Sequence, residues 1–136
     1  MKIAVISDIH ANYEALHAVF NDIHNIDAIY CLGDLVGYGP QPEKVVQFFI
    51  YNHIPCTLGN HDSAVYNPQE ATSFNTLAAK SIHITTTLLS DSSIDFLKKL
   101  PNNIVKHNIL FTHGCPPDDI HHYIYDCSDK ELIHVF

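Results

Sequence analysis

Six residues able to ligate a hard or borderline cation follow short apolar runs: Asp8 and His10 after Lys2–Ile6, Asp34 after Asp27–Leu32, Asn60 and His61 after Ile54–Leu58, and His113 after Ile109–Thr112. Carboxylate, imidazole and amide oxygen together suit divalent manganese, iron, zinc or similar ions, and no thiolate is among them. Two cations about 4 Å apart, bridged by one carboxylate, can hold a hydroxide between them and bind both oxygens of a phosphate ester. That chemistry needs no covalent enzyme intermediate. Asp34 lies in the middle of the set, so it is the expected bridging ligand.

The individual patterns differ in weight. Asp8-Ile9-His10 puts two ligand side chains at i and i+2, on one side of an extended backbone. In a chain with 11 histidines, however, a helix-capping Asp beside a surface His reads equally well. Gly59-Asn60-His61-Asp62 is far more specific, a coincidence of roughly one in a thousand from ordinary residue frequencies. An amide oxygen at Asn60 can bind a hard cation, and Gly59 lets the backbone turn tightly beneath it. His61 keeps two readings, as a metal ligand or as a donor to substrate oxygens and the leaving group. The remaining histidines read as helix-surface or strand-edge residues, except that His121-His122 could reach over the site.

These residues need a scaffold that brings strand ends together. Lys2–Ile6 reads as a strand buried on both faces of a parallel sheet, and Asn12 caps a helix to about Asn25 with a stripe of Leu16, Val19, Phe20 and Ile23. Asp27–Leu32 is a second strand. After Gly33, Gly37 and Gly39, Pro42 opens a helix carrying Val45, Val46, Phe49 and Ile50, and Ile54–Leu58 is a third strand. The order β-α-β-α-β places ligands beyond the carboxyl ends of strands, where α/β sheets keep them. A helix from about Ala71 to Leu89, a shorter one from Ser90 or Asp91 to Leu100, two apolar runs around Asn108, and a helix near Asp129 capped by Ser128 and Glu131 complete the reading.

Composition sets limits. Residues 1–136 fit one domain, with 46% hydrophobic content and a net charge of -8. All seven basic residues are lysines, so the basic footprint of a protein that binds long nucleic acid is absent. Ile3–Ile6 is too short for a signal peptide or a membrane span, which points to a cytoplasmic chain without a membrane partner. Cys31, Cys56, Cys115 and Cys127 form no Cys-x-x-Cys pair and read as reduced, small core residues.

Asp8-Ile9-His10, Gly33-Asp34, Gly59-Asn60-His61-Asp62 and His113-Gly114, in that order, resemble the motifs of the calcineurin-like metallophosphoesterase superfamily. The stretch Gly33–Pro40 is similar to its small prokaryotic branch rather than to the protein serine/threonine phosphatases and symmetrical dinucleoside tetraphosphatases, whose motif carries an arginine. The resemblance implies an α/β class fold, the α/β/β/α sandwich. It implies that Asp8, His10 and Asp34 hold one metal, that Asp34, Asn60 and His113 hold the other, and that His61 aids the leaving group. The family's final Gly-His-x-His has no match between Gly114 and Phe136, so the second sheet is expected to be incomplete and the domain unfinished at its C-terminus, with a second copy or a complementing chain covering the open sheet.

The expected function is hydrolysis of a small phosphomonoester or phosphodiester through a metal-bridging hydroxide, with two divalent ions, manganese foremost and iron, zinc or nickel as other fits. The alternatives are an inactive remnant that binds metal or phosphate or serves as an interaction module, a protein phosphatase-like or dinucleoside polyphosphate hydrolase, and a response-regulator-like or flavodoxin-like binding domain. The last leaves Asn60, His61 and His113 without a role.

Overall fold

The computed structural model describes residues 1–117 and 119–135, without the side chains of His134 and Val135. It is an α/β arrangement that opens β1 (Ile3–Ile6), α1 (Tyr13–Asp22), β2 (Ala28–Cys31), α2 (Pro42–Asn52). β1 and β2 pair in parallel, Ile3 opposite Ala28 through Ile6 opposite Cys31. Asn12 caps α1 by accepting from the Ala15 N–H at 3.0 Å, and Pro42 begins α2. α2 carries much of the core, with Val45, Val46 and Phe49 fully buried against Leu16, Cys31, Leu35 and Leu97.

Several elements are shorter than the apolar pattern suggests. α1 stops at Asp22 because Ile23 turns extended and Asn25 takes a positive φ. Val19, assigned to its buried stripe, is 43% exposed. The expected third strand, Ile54–Leu58, is reduced to a bridge in which the Cys31 N–H donates to Pro55 O and the Thr57 N–H to Cys31 O. Leu58 then turns away to donate to Pro101 O instead of extending the ladder. β1 is not buried on both faces either, since Val5 is 50% exposed.

The expected long helix from Ala71 is divided. A short 3-10 turn, Glu70–Ser73, precedes an extended Phe74, and α4 (Thr76–Leu88) starts only after Asn75 caps it through the Ala78 N–H; a five-residue α3 (Asn60–Ala64) lies just upstream. α5 (Asp91–Leu97) has Ser90 as its cap and ends three residues before Leu100. β3 (Asn103–Lys106) and β4 (Ile109–Thr112) form an antiparallel hairpin. His107 and Asn108 both adopt positive φ, as a two-residue turn matched to strand twist requires. After the 3-10 turn Ile124–Asp126, α6 (Asp129–Val135) closes the described chain with the expected box: Ser128 Oγ accepts from the Glu131 N–H while Glu131 Oε2 accepts from the Ser128 N–H.

Candidate metal centre

The loops after β1 and β2 are zipped together beyond the strands themselves. The Asp8 N–H donates to Gly33 O, His10 N–H to Asp34 O and Ala11 N–H to Leu35 O, at 2.8 to 3.1 Å. Asp8, His10, Ala11 and Asp34 all have φ between 47° and 56°. This backbone differs from the extended one expected for Asp8-Ile9-His10. The pair converges because two left-handed residues curl the chain, leaving His10 Nε2 3.7 Å from Asp8 Oδ1. Such conformations cost on the order of 1 kcal/mol or more for non-glycine residues and persist where surrounding bonds enforce them.

Asp34 is 3% exposed. Its Oδ1 accepts from the His61 N–H at 2.9 Å, and its Oδ2 faces two imidazoles, His10 Nε2 at 3.7 Å and His113 Nε2 at 3.6 Å. Each of those rings is oriented from behind. His10 Nδ1 lies 3.0 Å from Val36 O and His113 Nδ1 lies 2.7 Å from Leu32 O, so Nδ1–H donates to a carbonyl and each Nε2 is left as a ligand atom. Asn60 Oδ1 stands 3.2 Å from His113 Nε2. Among the described residues, two sets of ligand atoms converge within 4.8 Å: His10 with Asp34 and His61, and Asp8 with Asp34 and His113. Asp34 belongs to both.

The donor set fits divalent ions. Two imidazole Nε2 atoms aimed at one buried carboxylate, with a second carboxylate beside it, form a nitrogen and oxygen donor set of that kind. Burial, partly offset by the His61 N–H and reinforced by Asp8, raises the Asp34 carboxyl to about 7, the penalty a cation would remove.

His61 opens α3 with Asn60, and Gly59 is the residue that caps it. Its ring is packed between Phe74, stacked at 4.7 Å, and Tyr38 at 4.9 Å, with the His10 ring edge-on at 4.8 Å. Its Nδ1 is buried without a partner, and burial together with His10 and His113 lowers its pKa to about 4. It is therefore a neutral imidazole at neutral pH. The break before α4 serves this packing, since extended Phe74 lays its ring on His61.

Asp62 was only a motif letter in the sequence, but it ties the centre together. Fully buried, it accepts from the Val36 N–H at 3.2 Å and from the Gly59 N–H at 3.1 Å, joining the loop after β2 to the loop that carries Asn60. Burial first, then the charge of Asp34, raises its pKa to about 8. Tyr123 had no local signal at all. Desolvation followed by the charge of Asp34 raises its phenol's pKa, and Asn60 acts against that rise. His121 and His122, in contrast, do not reach over the centre: His121 Nε2 lies 3.5 Å from Glu70 Oε2, and His122 Nε2 lies 3.9 Å from Cys127 Sγ.

A cleft of about 580 Å³ opens on the centre, lined by Asp8, His10, Asn12, Tyr38 and neighbouring residues. A larger one, about 880 Å³, surrounds Cys115, His122, Cys127 and Glu131 and contains none of the residues around Asp34. Convergent ligand chemistry outweighs volume in locating the site.

An uncharacterised protein of Methanocaldococcus jannaschii, MJ0912, is 41% identical over 120 residues, covering 84% of this chain and 49% of that protein. The crystal structure of a metallophosphoesterase from Sphaerobacter thermophilus matches with a TM-score of 0.74 and 36% identity, over 91% of this chain and 51% of that one. The hypothetical protein PH1004 from Pyrococcus horikoshii OT3 shares the fold at a TM-score of 0.80 and 20% identity, over 98% of this chain and 63% of its own. The chain thus spans about half the length of the curated relative it matches. The family model for calcineurin-like phosphoesterases matches residues 1–133, and with the strand-end ligand geometry around Asp34 it establishes that this chain belongs to the calcineurin-like phosphoesterase family.

Proposed function

We propose that the centre around Asp34 serves metal-dependent hydrolysis of a small phosphomonoester or phosphodiester. The observation that carries this reading is the pair of imidazoles whose Nδ1 atoms are tied to Leu32 and Val36 carbonyls while both Nε2 atoms face the same Asp34 oxygen. Asp8, His10 and Asp34 would hold one divalent ion, and Asp34, Asn60 and His113 a second, manganese being the first choice. Bound there, the ions would supply Lewis-acid polarisation of the phosphoryl group and would lower the pKa of an attacking water.

The chain's own residues do the rest. Asp34, whose Oδ2 faces both His10 Nε2 and His113 Nε2, would fix the spacing of the two ions, and Asp62 fixes the two loops that present their ligands. Neutral His61 donates a ring N–H to a phosphoryl or leaving-group oxygen, which lowers the cost of expelling an alkoxide or phenolate. Phe74 and Tyr38 hold that ring in place and limit water around it. Charge neutralisation falls to the metals and His61 in a chain without arginine. The acidic chain, without a basic footprint, suits a small substrate rather than a nucleic-acid polymer.

Turnover of an aryl phosphodiester and an aryl phosphomonoester with added manganese tests the reading. His61→Ala should lower the rate by about 100-fold or more while bound metal is retained. Equal loss of metal and rate would move His61 to the ligand set. A metal-loaded chain that turns over neither substrate would overturn hydrolysis and leave a binding module.

A further inference from the structure

Cys115 and Cys127 were expected to be unrelated core thiols. Cys31 and Cys56 meet that description, being 0% and 3% exposed in the core. Cys115 and Cys127 do not: their sulfurs lie 2.9 Å apart on the wall of the 880 Å³ cleft, with Cys115 buried and Cys127 partly open to solvent. The chain between them is folded to bring them together. Gly114 lets it turn back, since a Cβ there would sit 2.2 Å from Asp119 O; the Cys115 N–H then donates to His122 O, and Asp119 Oδ1 accepts the His121 and His122 N–H groups. A 3-10 turn, Ile124–Asp126, delivers Cys127.

We propose that Cys115 and Cys127 are a modification site at which a small-molecule disulfide such as glutathione disulfide installs an intramolecular disulfide, fastening the loop that carries His122 and Tyr123. The exchange balances as two steps. The Cys127 sulfur attacks the S–S bond and expels one glutathione thiol, and the Cys115 sulfur then attacks the mixed disulfide and expels the second. Two protein thiols are oxidised, one small disulfide is reduced to two thiols, and the two protons pass to the leaving thiolates.

A soft metal held by Cys115, Cys127 and His122 is the competing use of the same atoms. Two thiolates on one tetrahedral zinc stand about 3.8 Å apart at the usual bond lengths, wider than these sulfurs. His122 Nε2 is 3.9 Å from Cys127 Sγ, and Asp119 Oδ1 is already taken by two backbone N–H groups. Linking residues 115 and 127 instead removes chain entropy from the unfolded state without asking for a further ligand.

Peptide mapping tests the proposal on the full chain. No lysine lies between His107 and Lys130, so trypsin leaves both sulfurs in one peptide, whereas Cys31 and Cys56 fall in two others. After hours in glutathione buffers of rising disulfide fraction and maleimide labelling, peptide 107–130 should lose about 2 Da and take no label. The oxidised chain should melt roughly 5–10 °C higher than the reduced one, and Cys127→Ser, at the more exposed position, should abolish that rise and leave Cys115 labelled or singly adducted. Double labelling of the peptide at every ratio would overturn the proposal. So would a Cys31–Cys56 cross-link in its place, an oxidised chain with unchanged melting, or one zinc ion per chain that shields both sulfurs and is lost in Cys115→Ser.

Discussion

On one side of Asp34 the ligand-type residues come from two loops locked by consecutive backbone hydrogen bonds, Asp8 to Gly33, His10 to Asp34 and Ala11 to Leu35, above a core of Leu35, Val36 and Phe49. On the other side His113 and Tyr123 come from the end of an open hairpin and a loop, where Val105 is 66% and Leu110 41% exposed. The first half is determined by ladder and core together. The second is determined by individual side-chain bonds, His113 to Leu32 O and Asn60. A site assembled this way has its position set by the rigid half and its completeness set by the looser one.

Substitutions separate the two halves by the size of their effects. Gly59→Ala should be the most damaging, because the added carbon would lie 2.2 Å from both Asp34 N and Asp34 Oδ1. Gly59 has φ near −99°, so the penalty is steric and not conformational. Metal binding should be lost and stability should fall by about 4 kcal/mol or more, because the clash is with backbone, read by elemental analysis and urea denaturation. Asp62→Ala follows, stranding the buried Val36 and Gly59 N–H groups at a cost of about 2–4 kcal/mol in the same denaturation experiment. Comparable tolerance of both changes would remove the distinction between the halves.

The pH dependence of the metal-free chain sharpens it further. Asp34 and Asp62 have folded pKa values raised to about 7 and 8 from 3.8, so the folded state binds more protons than the unfolded one, and their contribution is lost as pH rises through those values. His61, lowered to about 4 from 6.5, works oppositely and adds stability as pH rises from about 4 to 6.5. Above 6.5 only the carboxyls remain, so stability should decline between about pH 6.5 and 8 and manganese should flatten the decline. A flat metal-free profile there would contradict the buried carboxyl pair. The smallest effect belongs to the looser half: Tyr123→Phe, which removes only a hydroxyl, should change kcat/KM by about fivefold at most, with Tm unchanged.

Sequence made the rigid half readable because its information is local. Each ligand follows an apolar run, and glycine marks where loops approach closely, as at Gly59. The stretch 54–58 looked like a strand for the same reason, yet Leu58 pairs with Pro101 and the ladder shrinks to one bridge, a choice made by tertiary contacts. The helix expected from Ala71 began five residues late because Phe74 is drawn out to cover His61, a partner 13 positions away in sequence that periodicity does not register. Tyr123 and the Cys115–Cys127 pair were equally invisible, since nothing in spacing says that a loop doubles back at Gly114. His121-His122 drew attention through residue type alone, and the fold sends both elsewhere.

The central claim is that Asp34 belongs to both ligand sets. The direct test is the manganese content of the full chain and of Asp34→Asn, equilibrated with the ion, desalted and measured by elemental analysis alongside circular dichroism to show both are folded. Loss of all bound manganese in the folded variant is the result predicted by a carboxylate shared between His10 on one side and His113 on the other. Retention of the same number of ions per chain as the parent would contradict it.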